Sequence, residues 1–445
     1  MNASVPWGQL VCGLAALAAL VAWARSPRAL RHEGVVLPAI LIYFSIGMLD
    51  FDMPLLDVWS PRLYIPPAVW NVVGVGSLAY LAGAWVGRWR AAAPATESGA
   101  PAESARAMDR LGTVLLRIGW FGLGALLLLF GSPLLTGADR EHSSAYLVTL
   151  AMMVVPGGLL RVAAWGERVP WRTWVPVLAS IVALLLTGYR TYTLLFALAV
   201  MVLRLVRPRP WRQRAILVAG GLVVAIAVGA AFGYWRFLRD GNASGARLVQ
   251  AVVGSNQASL FRLAGAYVYV GFFREGPSIL GFIVDRYPSL SPYLHGRALL
   301  GMLTSPLPGQ QLDARALLSQ AVYGTRQTSL VSTIFGPWYL DFGMAGVVVG
   351  LALMGYVLSR VEWHAFVRQQ PVALAGYAFG LVLFTLAVHS GLSDFVFAVL
   401  IPLVFVWVAR SVRSADTSRT AGQPEAARPA PPRGTSAAGL ASGPR

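Results

Sequence analysis

Apolar positions along this chain gather into long runs, and polar residues are confined to the gaps between them. The runs fall at roughly 5–24, 35–50, 65–87, 113–134, 145–165, 173–188, 191–206, 215–235, 340–359, 372–390 and 394–409. A bilayer core takes about 20 helical residues, so most of these runs read as comfortable spans and three or four as short ones. The pattern predicts an all-α protein: a polytopic membrane bundle of about eleven transmembrane helices with one long loop at 236–337. Residues 1–410 read as a single transmembrane domain. Residues 91–108 read as a flexible linker and 411–445 as a disordered tail, since neither can bury enough apolar surface to offset chain entropy. No fixed-period repeat is visible and the two halves do not mirror each other, which disfavours an inverted-repeat transporter.

Composition agrees. The 445 residues are 56% hydrophobic and 12% charged, against about 25% charged in a soluble domain. Net charge is +17, and all 36 basic residues are arginine. These arginines are spread over loops without aromatic interleaving, which excludes a nucleic-acid partner. The single cysteine, Cys12, lies in the first apolar run and reads as a small buried hydrophobe. Met1–Trp7 has no positive stretch, so the first run is expected to remain a span.

Charge then orients the bundle. One alternating set of loops holds Arg25, Arg28, Arg31, Arg88, Arg90, Arg161, Arg168, Arg172, Arg204, Arg207, Arg360 and Arg368. The other set holds Asp50, Asp52, Asp57, Asp139, Glu141 and Asp394, relieved only by Arg62, Arg140 and Arg190. The positive-inside rule makes the first set cytoplasmic. The N-terminus is then outside, the C-terminus is cytoplasmic, and the long loop is extracytoplasmic. Tryptophans near helix ends, such as Trp59, Trp70, Trp85, Trp89 and Trp171, read as interfacial belts.

Three features carry candidate chemistry. Thr187-Gly188-Tyr189-Arg190-Thr191 joins two runs of about 15–16 residues, each roughly 22–24 Å long against a core near 30 Å. So short a hairpin puts its turn below the outer interface, where Tyr189 and Arg190 would meet an anion beside a helix N-terminus. An arginine snorkelling to the interface is the plainer alternative. The long loop is basic, and Arg262, Arg274, Arg286, Arg297 and Arg326 in it are candidates for gripping a diphosphate or lipid headgroup. Its apolar pieces at 263–273 and 279–284 are too short to span and are expected as interfacial or re-entrant helices. Lastly, Phe335–Gly343 forms a glycine- and proline-marked approach to the membrane, with Asp341 near a helix start. Candidate bases are His295 first and Asp341 next, then His389, Asp394, Asp50 and Asp52. No zinc spacing, nucleophilic triad or nucleotide-binding fingerprint is legible, so no metal or cofactor is expected.

The order of TGYRT, then PYLHGRALLGMLTSPLPG, then STIFGPWYLDFGMAGVVVGLALMG resembles the oligosaccharide repeat-unit polymerases of the Wzy type, which build O-antigen and capsular polysaccharide. Identifiable motifs cover about 185–200 and 290–357. Pro337 stands where the family often carries an acid before its aromatic pair, so no role for that acid passes to this chain. The resemblance implies a metal-independent glycosyltransferase on the extracytoplasmic side of the cytoplasmic (inner) membrane. Its substrate would be an undecaprenyl-diphosphate-linked glycan, and other polysaccharide-assembly proteins would be its partners. Two rivals stay open. One is an O-antigen-ligase-like or polyprenyl-phosphate-sugar transferase using Asp50 and Asp52; the other is a glycolipid flippase.

Overall fold

The computed structural model describes residues 12–14, 31–48, 65–89, 102–132, 144–166, 168–206, 269–304, 314–323, 330–392 and 394–422. Among these residues every regular element is helical. The helices are α1 (Glu33–Gly47), α2 (Ala68–Trp89), α3 (Ala102–Phe130), α4 (Ala145–Ala151), α5 (Val154–Ala164), α6 (Trp171–Leu186) and α7 (Arg190–Leu205). They continue as α8 (Glu275–Arg286), α9 (Arg297–Thr304), α10 (Ala314–Tyr323), α11 (Gly336–Phe366), α12 (Pro371–Ser390) and α13 (Ile401–Gly422). Wide π-type turns at Tyr269–Arg274 and Val396–Leu400 lead into α8 and α13.

Among the described residues, five helical segments are long and apolar enough to cross a membrane: Ala68–Trp89, Ser104–Phe130, Ala145–Ala164, Gly336–Phe366 and Pro371–Ser390. Four more are apolar but shorter: Glu33–Gly47, Trp171–Leu186, Thr191–Leu205 and Val396–Val412. Each of these nine matches an expected run. The run at 215–235 and most of 5–24 lie outside the described residues, so the expected count of eleven is not reached here.

Local chemistry explains where helices stop or bend. Pro156 has no N–H to give Met152, whose carbonyl takes Val155 N–H at 3.0 Å instead. The 145–165 run is therefore two short helices rather than one. Gly343 interrupts α11 at φ 61°, ψ −146°, a conformation costly for any residue with a Cβ. The break turns Gly336–Phe342 back, so that Trp338 packs over Gly350. The sequence's glycine-marked approach is this bend.

Two seams hold the bundle. α11 packs along α2 more extensively than any other pair, and α3 does the same along α4 and α5. Both seams run on glycine: a Cβ at Gly83 would overlap the Ala352 carbonyl, and one at Gly355 the Tyr80 carbonyl. In lipid, helices associate through such close backbone approach because burial of apolar surface offers little. α12 lies between the groups, touching α1, α5, α7, α11 and α13. It is apolar all round, none of its residues is exposed, and Tyr377, Ala378, Phe379 and Leu381 on it are buried. The outer faces are apolar too, with Leu128 87% and Phe121 70% exposed; a soluble surface would not carry them.

Three expectations need adjustment. α3 starts at Ala102, inside the stretch read as linker, because Ser104 and Met108 are buried there and Asp109 accepts from Arg161 Nε at 3.1 Å. α13 runs to Gly422, into the stretch read as tail. Within the long loop, α8 does not lie free as an interfacial helix. Its Leu280 and Ile283 are fully buried against α1, α2 and α11. Cys12 is buried as expected, its thiol 3.7 Å from the Trp70 carbonyl.

Candidate functional site

The bundle has two ends, named here by the residues of α1 at each: the Gly47 end and the Glu33 end. The α6–α7 turn, the loop helices α8 to α10, the start of α11 and the end of α12 all meet at the Gly47 end.

The α6–α7 hairpin forms as its sequence demands. Both helices have 16 residues. α6 ends at Gly188, whose φ of 74° places it in the left-handed region that closes helices. Thr187 Oγ1 donates to Leu184 O at 2.6 Å, holding the turn tight. Tyr189 caps α7 and Arg190 is its first residue. Tyr189 stacks on Tyr192 with ring centroids 5.1 Å apart.

Tyr192 leads to a group that the sequence only touched on. Its hydroxyl donates to Asp394 Oδ2, in the last turn between α12 and α13. The Asp394 Oδ1 atom accepts Val396 N–H at 3.0 Å. Burial pushes the Asp394 carboxyl above the usual carboxylate range, while Tyr192, the Val396 amide and the Arg315 charge pull it back. Arg315, on α10, donates to Ser390 O at 3.1 Å and feels both Asp394 and Tyr192 electrostatically. A half-buried carboxylate, a phenol and a guanidinium thus converge beside the N-terminus of α7.

A second acid–base group lies at the same end. Tyr43 Oη and His389 Nδ1 are 2.9 Å apart. Glu275, the first residue of α8 in the loop, is pushed up to about 7 by burial, with the Val331 amide opposing. Because this carboxyl keeps its proton better folded than unfolded, it lowers stability as it ionises. The contribution is favourable below the unfolded value near 4.5 and is lost as pH rises towards about 7. Melting temperature in detergent should therefore fall by several degrees between pH 5 and 8, and Glu275→Gln should flatten that slope. An unchanged slope in the variant would remove Glu275 as its source.

The remaining sequence candidates are held apart. Arg274 is buried and donates to Gly47 O at 3.0 Å, tying the loop to α1. Arg286 lies over the ring of Phe282 on its own helix, 5.6 Å from its centroid. His295 and Arg297 are exposed on either side of Gly296, at the start of α9. Asp341 is fully buried, and both of its carboxylate oxygens accept α9 amides, from Ala298 and Leu299 at 2.9 Å each. It neutralises the start of α9 rather than of its own helix, and this fixes the His295 corner to α11. Arg262, Arg326, Asp50 and Asp52 lie outside the described residues. Sequence reading gave His389 and Asp394 little weight and passed over Tyr43, Tyr192 and Glu275. The Tyr189–Tyr192 spacing of three was the available signal, since such residues share a helix face.

Fold and site together define a multi-pass helical membrane protein with its ionisable side chains gathered at helix ends. A family model described as "Putative O-antigen polymerase" matches residues 34–239 and 277–401, well over half of the chain. The chain belongs to this family, whose members are membrane polymerases of oligosaccharide repeat units. No curated protein and no solved structure matches it.

Proposed function

We propose that this chain joins undecaprenyl-diphosphate-linked oligosaccharide repeat units into a surface polysaccharide, by metal-independent glycosyl transfer at the Gly47 end. That end faces the extracytoplasmic side in this reading, because the arginine-rich connections lie at the other end. The observation that carries the reading is the Tyr192–Asp394–Arg315 group beside Arg190 and the N-terminus of α7.

Each part has a task. Arg190, Arg315 and the first amides of α7 hold the donor diphosphate. Asp394 takes the proton from the acceptor sugar's hydroxyl. The hydroxyl oxygen then bonds to the donor's anomeric carbon, and the bond from that carbon to the diphosphate oxygen breaks. The carrier diphosphate leaves with the electron pair. Its charge grows in the transition state, so fixed cations favour that state over the ground state. Tyr189 and Tyr192 offer a stacked aromatic wall to a sugar. His295, Arg286 and Arg297 are assigned to the incoming substrate, as are Arg262 and Arg326. Asp341 is assigned to positioning the His295 corner, and Arg274 to positioning α8.

Reconstitution with a defined lipid-diphosphate oligosaccharide tests the proposal, with a ladder of longer glycans as the readout. Arg190→Ala should reduce the initial rate by roughly a hundredfold, the scale on which losing one transition-state donor acts. Arg190→Lys should restore part of it, as a point charge without the planar fork. Equal ladders from wild type and Arg190→Ala would end the anion-site assignment.

A further inference from the structure

At the Glu33 end, three buried side chains form a group that the transfer chemistry does not use. His32 directly precedes α1, Glu33 is its first residue, and Glu362 lies near the end of α11. His32 Nε2 is 3.7 Å from Glu33 Oε2 and 3.4 Å from Glu362 Oε2. One ligand atom from each residue lies within 4.8 Å of the other two. Arg88, in the last turn of α2, is bonded to the other oxygen of Glu33, Oε1. Glu33 Oε2 is left buried without a hydrogen-bond partner, facing the imidazole. A buried carboxylate oxygen in that state is costly unless something positive completes it.

The surroundings suit a metal ion better than a further hydrogen bond. The two carboxylates are met by the charges of Arg88 and Arg31, both of which reach His32, so a cation here would be held by its donor atoms rather than by net charge. The Tyr80 hydroxyl stands 2.7 Å from His32 Nδ1, where a metal-bound histidine normally gives its second N–H to an acceptor. Ser359 Oγ donates to Ala84 O at 2.9 Å and so can only accept from His32 Nε2, 2.8 Å away; a metal would take the place of the Nε2 proton and leave the hydroxyl oxygen as a neighbouring donor atom. One imidazole nitrogen with carboxylate and hydroxyl oxygens is a donor set for zinc and its neighbours rather than for magnesium or calcium.

We propose that His32, Glu33 and Glu362, oriented by Tyr80 and Ser359, bind one divalent transition-metal ion, zinc above all, and so clamp α1 to the far end of α11. The clamp joins residues 32 and 362 across the seam with α2. It is structural and independent of the glycosyl transfer at the opposite end.

The test uses full-length protein in detergent, purified on a tag without histidine, stripped with a chelator and then titrated with ZnCl2. Elemental analysis should find about one zinc per chain, and the melting temperature should rise by several degrees on zinc addition. Glu362→Gln keeps the shape of the side chain; it should weaken zinc binding by roughly 10- to 100-fold and shrink that rise, while the stripped protein melts as wild type does. His32→Ala should abolish binding. A wild-type protein with neither zinc nor a zinc-dependent melt overturns the proposal. So does zinc retained undiminished in both variants.

Discussion

Asp394→Asn should cut glycan polymerisation by a hundredfold or more while leaving the protein folded. The scale is that of removing a general base, about 10²- to 10⁴-fold. The fold should survive because asparagine's Oδ1 can still accept Val396 N–H, now at 3.0 Å from the Asp394 Oδ1, while its Nδ2, standing where Oδ2 was, can donate to the Tyr192 hydroxyl oxygen. What asparagine cannot do is take a proton. Burial has already raised the Asp394 carboxyl above its ordinary range, which brings it closer to the pH at which a base works best. The wild-type rate should consequently fall as pH drops through that raised value. The residual rate of the variant should lack this acid limb. Tyr192→Phe removes one hydrogen bond to the carboxylate but not the carboxylate itself, so its effect should be much smaller. Rates on a defined lipid-diphosphate oligosaccharide and melting temperatures on the same preparations settle the matter. A variant that keeps more than half of the wild-type rate at every pH returns the base to Glu275 or His295.

The fold was legible in the sequence wherever one kind of force decides the outcome. Apolar runs with glycine, proline and charge between them place α1, α2, α6, α7 and α12 within a few residues, because a lipid-facing helix must satisfy its own backbone. Gly188 announced its turn for the same reason: the left-handed backbone there admits few residues besides glycine. The break between α4 and α5 was hidden, since the run 145–165 is apolar on both sides of Pro156 and a single proline moves one hydrogen bond. The start of α3 was hidden differently. Its alanines, serines and glutamates look like linker until Asp109 meets Arg161, 52 residues away.

The site shows the same division. Tyr189 and Arg190 could be singled out because turn, short helices and charge coincide within five residues. Asp394, Arg315 and Tyr192 come from three separate elements, the last hydrogen-bonded across 202 residues to the first. No local pattern encodes such a meeting. Asp341 shows the converse: it stood out as a candidate base near a helix start, and the amides its carboxylate accepts belong to α9, 43 residues back along the chain. Sequence displays which residues can ionise; packing decides which of them share a charge.

Gly83→Leu should be the most damaging single change outside the site. A Cβ there would meet the Ala352 carbonyl carbon at 2.6 Å and its Cα at 2.7 Å, and backbone cannot swing aside as a side chain can. Either α2 or α11 must move outward along the seam that joins them most extensively. Ordinary overpacking costs about 1–3 kcal/mol; displacement of a backbone seam should cost at least the upper figure, out of a total near 5–15 kcal/mol. The damage should reach both ends. α11 carries Asp341 to the Gly47 end, and it carries Glu362 and Ser359 to the His32 group. A displaced α11 therefore loosens the loop corner and the histidine cluster together. Gly124→Leu is the matching control, because a Cβ at Gly124 meets nothing within 4 Å. Size-exclusion yield and melting temperature in detergent should collapse for Gly83→Leu and stay near wild type for Gly124→Leu. Equal behaviour of the two would mean that the α2–α11 seam is not a close backbone contact.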